Sequence, residues 1–267
     1  MDLRSLIHRL AQVSETPGLD ARLLIEAANN NLQLLNTFIK RRLNNEPVSK
    51  IIGTRGFWKQ DFYVTCDVLD PRPDSETLIE TVLRFYPDKK QKIHFLDIGT
   101  GSGCLLASLL QEYQNAVGMG IDISLEALKV AKKNLMPFKD RFSLTQDDFM
   151  VPDFAKNLGI FDVIVSNPPY IKRDDIHTLS PEVRLYDPHT ALDGGIDGLS
   201  AYRSLAKKIA PLLMPKGHIF FEIGLGQADS VETIMQKNNF TPIARQCDLG
   251  GIERVLVFKK NYRSDNR

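Results

Sequence analysis

The stretch FLDIGTGSG, residues 95–103, joins an apolar strand to a glycine-rich turn and decides which class of fold the chain can form. Glycines at 99, 101 and 103 allow a tight turn and a close approach of the backbone to a ligand. A helical pattern of apolar residues follows, from Cys104 to Tyr113. A strand, a glycine turn and a helix in this order are typical of the first unit of a parallel α/β sheet.

The same alternation continues to the C-terminus and predicts an α/β fold. The sheet is expected to be open, mostly parallel and seven-stranded, with helices on both faces and an antiparallel C-terminal hairpin around Gly250-Gly251. Further strands are predicted at 116–122, 141–146, 161–166 and 217–224, and further helices at 124–135, 198–213 and 227–238.

The N-terminal part of the chain follows a different pattern. Leu3, Leu6, Ile7 and Leu10 have helical spacing, and similar apolar stripes recur to residue 43. Residues 57–70 are rich in β-forming side chains with partial alternation. We therefore predict a helical substrate-docking domain over residues 1–56, a β-hairpin linker over 57–72 and the sheet domain over 73–267.

Composition and charge exclude several classes of protein. The 267 residues are 43% hydrophobic and 25% charged, which is ordinary for a globular protein. There is no apolar run of about 18 residues and no signal-peptide pattern, so we expect a cytoplasmic protein without a membrane segment. The three cysteines form no C-x-x-C pair and the five histidines have no metal-ligand spacing. Reduced thiols and no metal are therefore expected.

The charge is distributed unevenly along the chain. Residues 1–60 contain nine Lys/Arg and five Asp/Glu, whereas the remaining residues contain 25 and 28. The surplus of positive charge in residues 1–60 indicates either a solvated helical surface or a docking face for an acidic or nucleic-acid-associated partner. The basic run at 40–42 is too short to decide between the two.

The glycine turn departs from the dinucleotide fingerprint, because Cys104 stands where G-x-G-x-x-G requires its last glycine. A pyrophosphate prefers helix N-terminal amides without a nearby carboxylate, but Asp97 lies just ahead of this turn. An acidic residue here suits a cationic sulfonium ligand that carries an amino group. The predicted cofactor-binding residues of this turn are Asp97, Gly99, Thr100, Gly101, Ser102 and Gly103.

Acidic residues also follow the next two strands. Asp122 can accept hydrogen bonds from both ribose hydroxyls, or it can cap the helix that starts near Ser124. Asp147 can accept from an adenine amino group, and the backbone amide of Asp148 can donate to the adenine ring. The alternative is that Asp147 and Asp148 are both acidic residues of a surface loop. The carboxyl ends of neighbouring strands meet at one edge of a parallel sheet. The ligand these residues describe is S-adenosylmethionine.

The fourth strand ends abruptly in the stretch FDVIVSNPPYI, residues 161–171. The side-chain oxygen of Asn167 and the carbonyl of Pro168 can each accept one hydrogen of a planar NH2 group. Two consecutive prolines restrict the backbone, so both acceptors stay oriented. Tyr170 offers a flat face to a planar group. Asn167, Pro168, Pro169 and Tyr170 are therefore the predicted catalytic and substrate-binding residues, and Asn167 is also placed beside the cofactor.

Together, DIGTGSG, IDIS and SNPPYI resemble class I methyltransferases that modify planar amino groups. PRPDSE at 71–76, EPVSKIIGTRGFW at 46–58 and YDPHTALDGGIDGLSAYR at 186–203 extend the likeness over nearly the whole chain. The chain resembles the HemK family, the peptide chain release factor N5-glutamine methyltransferases. Asp148 and Asp70 stand where the family usually has apolar residues. Within PRPDSE, Glu76 has either a site role or, with Ser75 as cap, the role of starting a helix.

The resemblance implies a substrate, a cofactor and partners. The methyl acceptor would be the glutamine of the Gly-Gly-Gln motif in peptide chain release factors 1 and 2, and its modification would support translation termination. S-adenosylmethionine would be the donor, with no metal. The N-terminal domain would help to hold the release factor. The protein is expected to be a monomer without stable nucleic-acid or membrane binding.

Three other functions are less consistent with the sequence. A nucleic-acid amino-methyltransferase would use the same clamp on adenine, but the net acidic sheet domain argues against it. A cofactor-binding adaptor without activity would not need two oriented acceptors. A nicotinamide dehydrogenase is disfavoured by Cys104 in the fingerprint position.

Overall fold

The computed structural model describes residues 3–154, 156 and 158–261. The outer ends of the two predicted domains, residues 1–2 and 262–267, lie outside the described residues. The helices are α1 (Leu3–Leu10), α2 (Pro17–Ala28), α3 (Leu32–Leu43), α4 (Val48–Ile52), α5 (Glu76–Phe85), α6 (Cys104–Glu112), α7 (Leu125–Leu135), α8 (Pro181–Tyr186), α9 (Ser200–Lys208) and α10 (Ala228–Lys237). The strands are β1 (Thr54–Phe57), β2 (Gln60–Tyr63), β3 (His94–Ile98), β4 (Val117–Asp122), β5 (Phe142–Gln146), β6 (Phe161–Ser166), β7 (Leu213–Glu222), β8 (Phe240–Cys247) and β9 (Glu253–Lys260).

Within the described residues the main sheet has seven strands in the order β5-β4-β3-β6-β7-β9-β8. The first five strands of this order are parallel, and β9 pairs antiparallel with both β7 and β8. The predicted fold class is confirmed. Strand order reverses at β3, from which the chain moves first to β4 and later to β6, and ligands bind open α/β sheets at such a point.

Both faces of the sheet are covered by apolar side chains. Leu96 and Ile164 pack into the core on one face, while Phe95 and Val163 pack into the core on the other. Residues that alternate along each strand therefore enter different cores, as expected for strands buried on both faces. The central strands are buried on both faces, and the loops that shape the ligand site begin at their carboxyl ends.

The hairpin lies earlier in the chain than predicted. Its strands β1 and β2 occupy 54–63, whereas the β-rich stretch suggested 57–70. The residues after Tyr63 do not pair as a strand: Val64 and Val68 are buried against Ala127 and Val130 of α7. These apolar side chains pack against a helix. Periodicity alone cannot distinguish such a segment from a strand that pairs in a sheet.

The predicted helix 198–213 is too long and the strand after it too short. Helix α9 ends at Lys208, a short 3-10 helix covers Ala210–Leu212, and β7 already begins at Leu213. Pro211 has no amide hydrogen to continue the α-helical ladder, which explains the early end.

Helices α1 to α4 form a layer with its own small core, made of Leu6, Leu10, Ala21, Leu24, Ile39 and Ile51. Two ion pairs join this layer to the segment around α8. Lys50 Nζ lies 2.5 Å from Asp187 Oδ1 with both side chains almost fully buried, and Arg42 pairs with Glu182. The predicted boundary at residue 56 falls inside β1, and the division into a docking domain, a linker and a catalytic domain stays a prediction.

In the described part of the chain, no helix is long and apolar enough to cross a membrane. The same residues contain no group of three or more His, Cys, Asp or Glu side chains placed to hold a metal ion.

Candidate active site

A cavity of about 340 Å³ lies at the carboxyl ends of β3, β4, β5 and β6. This volume is within the range of small-molecule sites. The structure brings most of the predicted site residues together around it. Those that line the cavity are Gly99, Thr100, Gly101, Ser102, Asp122, Asp147, Asp148, Asn167 and Pro169. Asp97, Gly103, Pro168 and Tyr170 are not among the lining residues.

The glycine turn after β3 leaves open space on the cavity side. Gly99 and Gly101 have φ angles of +74° and +54°, and a Cβ atom built on either would meet no atom within 4 Å. The amides of Gly99 and Thr100 donate to the Ile121 carbonyl at 2.8 Å, which fixes the turn against β4. Gly103 has another role: a Cβ there would lie 3.2 Å from Ala131, so its missing side chain lets α6 approach α7.

Asp122 ends β4 and holds the glycine turn. Its Oδ2 accepts from the Gly101 amide at 2.8 Å, and its Oδ1 accepts from the Ser124 amide at 2.9 Å. Burial raises the pKa of Asp122, and these backbone hydrogen bonds oppose the rise. The alternative capping role belongs to Ser124, whose hydroxyl accepts from the Ala127 amide at 3.1 Å. Each carboxylate oxygen keeps acceptor capacity for a ribose hydroxyl.

Asp97 is fully buried beneath the same turn. Its Oδ2 accepts a 2.7 Å hydrogen bond from the Thr100 hydroxyl. Burial raises the pKa of Asp97 to about 7, and the bond from Thr100 opposes that rise. Among the residues that the structure describes, none hydrogen-bonds its Oδ1 atom. Because Asp97 does not line the cavity, its contact with the cofactor stays a prediction.

Asp147 and Asp148 follow β5 and shape the cavity wall. Asp147 Oδ1 accepts from the Asp148 amide at 2.8 Å, so that amide already has a partner inside the loop. Asp148 Oδ1 accepts from the Met150 amide at 2.7 Å. The Asp148 carboxylate therefore stabilises a turn, which explains why a polar residue is tolerated there. Their contacts to adenine stay predictions.

Asn167 lies half-buried at the end of β6, and its Nδ2 donates to the Ser75 hydroxyl at 3.2 Å. This bond leaves Oδ1 of Asn167 as the end of the amide available to a substrate. Of the alternatives for PRPDSE, the start of a helix at Glu76 is confirmed, but a capping role for Ser75 is wrong, because in the described chain its side chain makes no capping hydrogen bond. The backbone at Ser75 is already helical, with φ −68° and ψ −15°, whereas a capping residue is extended.

Tyr170 packs below the cavity. Its hydroxyl donates to Glu222 Oε1 at 3.4 Å, and its carbonyl accepts from Gln227 Nε2 at 2.9 Å. Burial is the main cause that raises the pKa of Tyr170. A Cβ built at Gly194 would lie 2.8 Å from the Tyr170 Cα, so the chain closes tightly around this residue. Tyr170 is held rigidly, and a stacking contact with substrate stays a prediction.

Sequence reasoning missed two segments of the cavity wall, residues 67–71 and 188–191. Arg72, also in the wall, donates to Asp187 Oδ2 at 2.6 Å, and the same Asp187 pairs with Lys50. The motifs around these residues supported the family resemblance, but their chemistry alone gave no ligand role. Glu76 turns out to hold the β1–β2 hairpin, because its Oε1 accepts from the Trp58 amide at 2.6 Å.

Comparisons with known proteins agree with this geometry. The family model "Methyltransferase small domain" matches residues 73–182. The release factor glutamine methyltransferase of Rhodospirillum rubrum is 45% identical over 85% of this chain and 69% of its own length. That of Caulobacter vibrioides is 39% identical over 92% of this chain and 91% of its own.

A solved structure supports the fold independently. A methyltransferase from Pyrococcus furiosus aligns with a TM-score of 0.54 and 18% identity, over 84% of this chain and 98% of that protein. At this identity the likeness shows the fold alone. The relatives at 39–45% identity go further, because the similarity extends over most of each chain. The chain belongs to the release factor glutamine methyltransferase family.

Proposed function

We propose that this protein transfers the methyl group of S-adenosylmethionine to the side-chain amide nitrogen of the glutamine in the Gly-Gly-Gln motif of class I peptide chain release factors. The observation that carries the proposal is Asn167, whose amide NH2 is bound to Ser75 beside a cavity of cofactor size. Its free oxygen is an acceptor for a planar NH2 group. The names of the relatives support glutamine as the group that is modified.

The residues of the cavity fit S-adenosylmethionine. Gly99 and Gly101 present backbone without side chains, Asp122 would accept from the ribose hydroxyls, and Asp147, which also lines the cavity, would accept from the adenine amino group. The donor, when bound, supplies a methyl group already activated on a sulfonium. The protein therefore has to position the nitrogen and does not have to activate the methyl group.

Asn167 and Pro168 would compensate for the low nucleophilicity of the substrate nitrogen. An amide nitrogen is a poor nucleophile because its lone pair is delocalised. Asn167 Oδ1 and the Pro168 carbonyl would each accept one N–H, which orients the nitrogen and stabilises the positive charge that develops on it. The nitrogen then loses a proton to solvent or to groups of the substrate, so no dedicated base is needed.

We also propose that release factors 1 and 2 are the protein substrates and that helices α1 to α4 help to hold them. The surplus of positive charge in residues 1–60 supports a docking role. Part of it is used internally, since Arg41 pairs with Glu46, and Arg42 with Asp20. We also propose that the protein acts as a monomer in the cytoplasm, where a soluble translation factor would be its substrate.

The proposal is tested by supplying isotope-labelled S-adenosylmethionine with two acceptors in separate reactions, a purified class I release factor and an adenine-containing DNA duplex. Label should enter the release factor and not the DNA. Label in the DNA, together with salt-sensitive DNA binding, would favour the nucleic-acid methyltransferase instead.

A further inference from the structure

We propose that Arg72, which Asp187 fixes in the wall of the cavity, binds the carboxylate of the methionine moiety of S-adenosylmethionine. The inference rests on the proposed function, since it concerns the cofactor of that reaction. Arg72 belongs to the motif PRPDSE, but the sequence pattern assigns it no ligand. The attachment of Arg72, its place along the sheet edge and the charge of the cavity wall all support this role.

Arg72 is attached to a buried ion pair. Its Nη2 donates to Asp187 Oδ2 at 2.6 Å, and Asp187 Oδ1 lies 2.5 Å from Lys50 Nζ. The side chains of Asp187 and Lys50 are 1% and 2% exposed, whereas that of Arg72 is 38% exposed. Within the described chain, the bond to Asp187 is the one hydrogen bond that the Arg72 side chain makes. The guanidinium is therefore held at one nitrogen, and its other N–H donors remain available to a ligand.

The segment that carries Arg72 lies at the β6 end of the cavity. The Ser75 amide donates to the Arg72 carbonyl at 3.0 Å, and the Ser75 hydroxyl accepts from Asn167 Nδ2 at 3.2 Å, directly after β6. Asp147 and Asp148, the predicted adenine contacts, follow β5 at the other end of the row β5-β4-β3-β6. Three strand spacings, about 14 Å, therefore separate the predicted adenine site from the strand beside Arg72.

The connectivity of the cofactor determines which of its groups would reach this end. Adenine, ribose and methionine are joined in that order. With adenine beside β5 and the ribose beside Asp122 at the end of β4, the methionine moiety would extend toward β3 and β6. Its carboxylate would then lie at the end of the cavity that contains Arg72.

The charged side chains of the cavity wall are mostly acidic. Six of the lining residues are aspartates: Asp67, Asp70, Asp122, Asp147, Asp148 and Asp193. Among the described residues that line the cavity, Arg72 is the one arginine or lysine, and His189 is the one histidine. The sulfonium and amino groups of the cofactor suit an acidic wall, but its carboxylate would be repelled without a cation nearby. A guanidinium binds a carboxylate through two parallel N–H···O hydrogen bonds, which makes Arg72 the matching partner.

The test is a two-by-two binding experiment that needs no turnover. Wild type and Arg72→Gln are each titrated calorimetrically with S-adenosylhomocysteine and with the analogue in which hydrogen replaces its carboxyl group. The Kd of S-adenosylhomocysteine should rise by about tenfold or more in Arg72→Gln, because charge-assisted hydrogen bonds are lost. The Kd of the decarboxylated analogue should change by less than about twofold, because the group that Arg72 binds is missing from it.

Two further variants control for indirect effects. Arg55→Gln removes the same charge close by, since Arg55 Nε donates to the Pro71 carbonyl at 3.3 Å, but Arg55 is not among the lining residues. Its Kd for both ligands should equal that of the wild type. Arg72→Lys keeps the charge but not the two parallel hydrogen bonds, so its Kd for S-adenosylhomocysteine should lie between those of the wild type and Arg72→Gln. Urea unfolding verifies that each variant is folded under the conditions of the titration.

A loss of affinity confined to the ligand that has a carboxylate supports the inference. An equal loss with both ligands would overturn it, because Arg72 would then only hold the cavity wall. Unchanged affinity for both would also overturn it, and a raised KM for the release factor in Arg72→Gln would assign Arg72 to the protein substrate instead.

The same measurements separate this inference from the proposed function. A carboxylate-dependent loss in a protein that methylates no release factor would overturn the proposed substrate and leave the role of Arg72 established. A wild-type protein that binds neither ligand would overturn both.

Discussion

Asn167 is the side chain on which the proposed chemistry depends most directly. Asn167→Ala removes one of the two proposed acceptors for the substrate amide. Turnover should fall by about a hundredfold or more, as when one group of an oxyanion hole is removed. The cofactor Kd, measured by calorimetry, should remain close to the wild-type value because the other lining residues are intact. Activity near that of the wild type would rule out the clamp.

Asp122 should control the cofactor rather than the chemical step. Asp122→Ala removes the predicted acceptor for the ribose hydroxyls together with the acceptor of the Gly101 amide. The loss of a charge-assisted hydrogen bond should weaken cofactor binding by about 1.5–3 kcal/mol. Calorimetric titration with S-adenosylmethionine measures the effect. An unchanged affinity would mean that another residue binds the ribose.

The sequence predicted that most of the candidate site residues lie at one sheet edge, but it did not predict the contacts between them. Asn167, Asp122 and the glycine turn follow predicted strands, so their meeting at one sheet edge follows from topology. The Ser75–Asn167 hydrogen bond joins residues 92 positions apart. No local sequence pattern predicts such a pair. The sequence instead suggested Ser75 as a helix cap, because serine ahead of glutamate is common at helix starts.

At the scale of elements, the glycine turn between β3 and α6 can be tested with a matched pair of variants. Gly101→Ala and Gly251→Ala both place a side chain at positive φ, +54° and +79°, and in both the added Cβ meets open space. Each should lower the free energy of unfolding by about 1 kcal/mol. Only Gly101 lines the cavity, so only its substitution should weaken cofactor binding as well.

Denaturant unfolding and calorimetry on the same two preparations provide the comparison. If Gly251→Ala weakened cofactor binding as much as Gly101→Ala, the effect would come from general destabilisation and not from the cavity. The turn would then have no specific part in binding.

Elements were predicted best where periodicity was long and uninterrupted. The central strands and α7 lie close to their expected positions. The errors occurred where an apolar pattern had another cause. Val64 and Val68 pack against α7 without pairing as a strand, and Pro211 ends the helical region that hydrophobicity alone would extend. Tertiary packing and one missing amide hydrogen decided these boundaries.

At the scale of the whole molecule, the buried pair Lys50–Asp187 joins the helical layer to the segment around α8. Lys50→Met leaves Asp187 buried with Arg72 as its remaining partner, and should lower the free energy of unfolding by about 3 kcal/mol. The matched control Lys129→Met breaks an exposed pair with Glu126 and should cost less than about 1 kcal/mol. Equal losses in urea unfolding would show that the buried pair does not couple the two parts.

The central claim concerns the whole molecule and its protein substrate. The most direct test incubates the protein with S-adenosylmethionine and a purified class I release factor, then locates added methyl groups by fragment-ion mass spectrometry. The account predicts one methyl on the side chain of the Gly-Gly-Gln glutamine, and none when Asn167→Ala replaces the wild type. An unmodified glutamine, with cofactor binding verified in the same preparation, would contradict it.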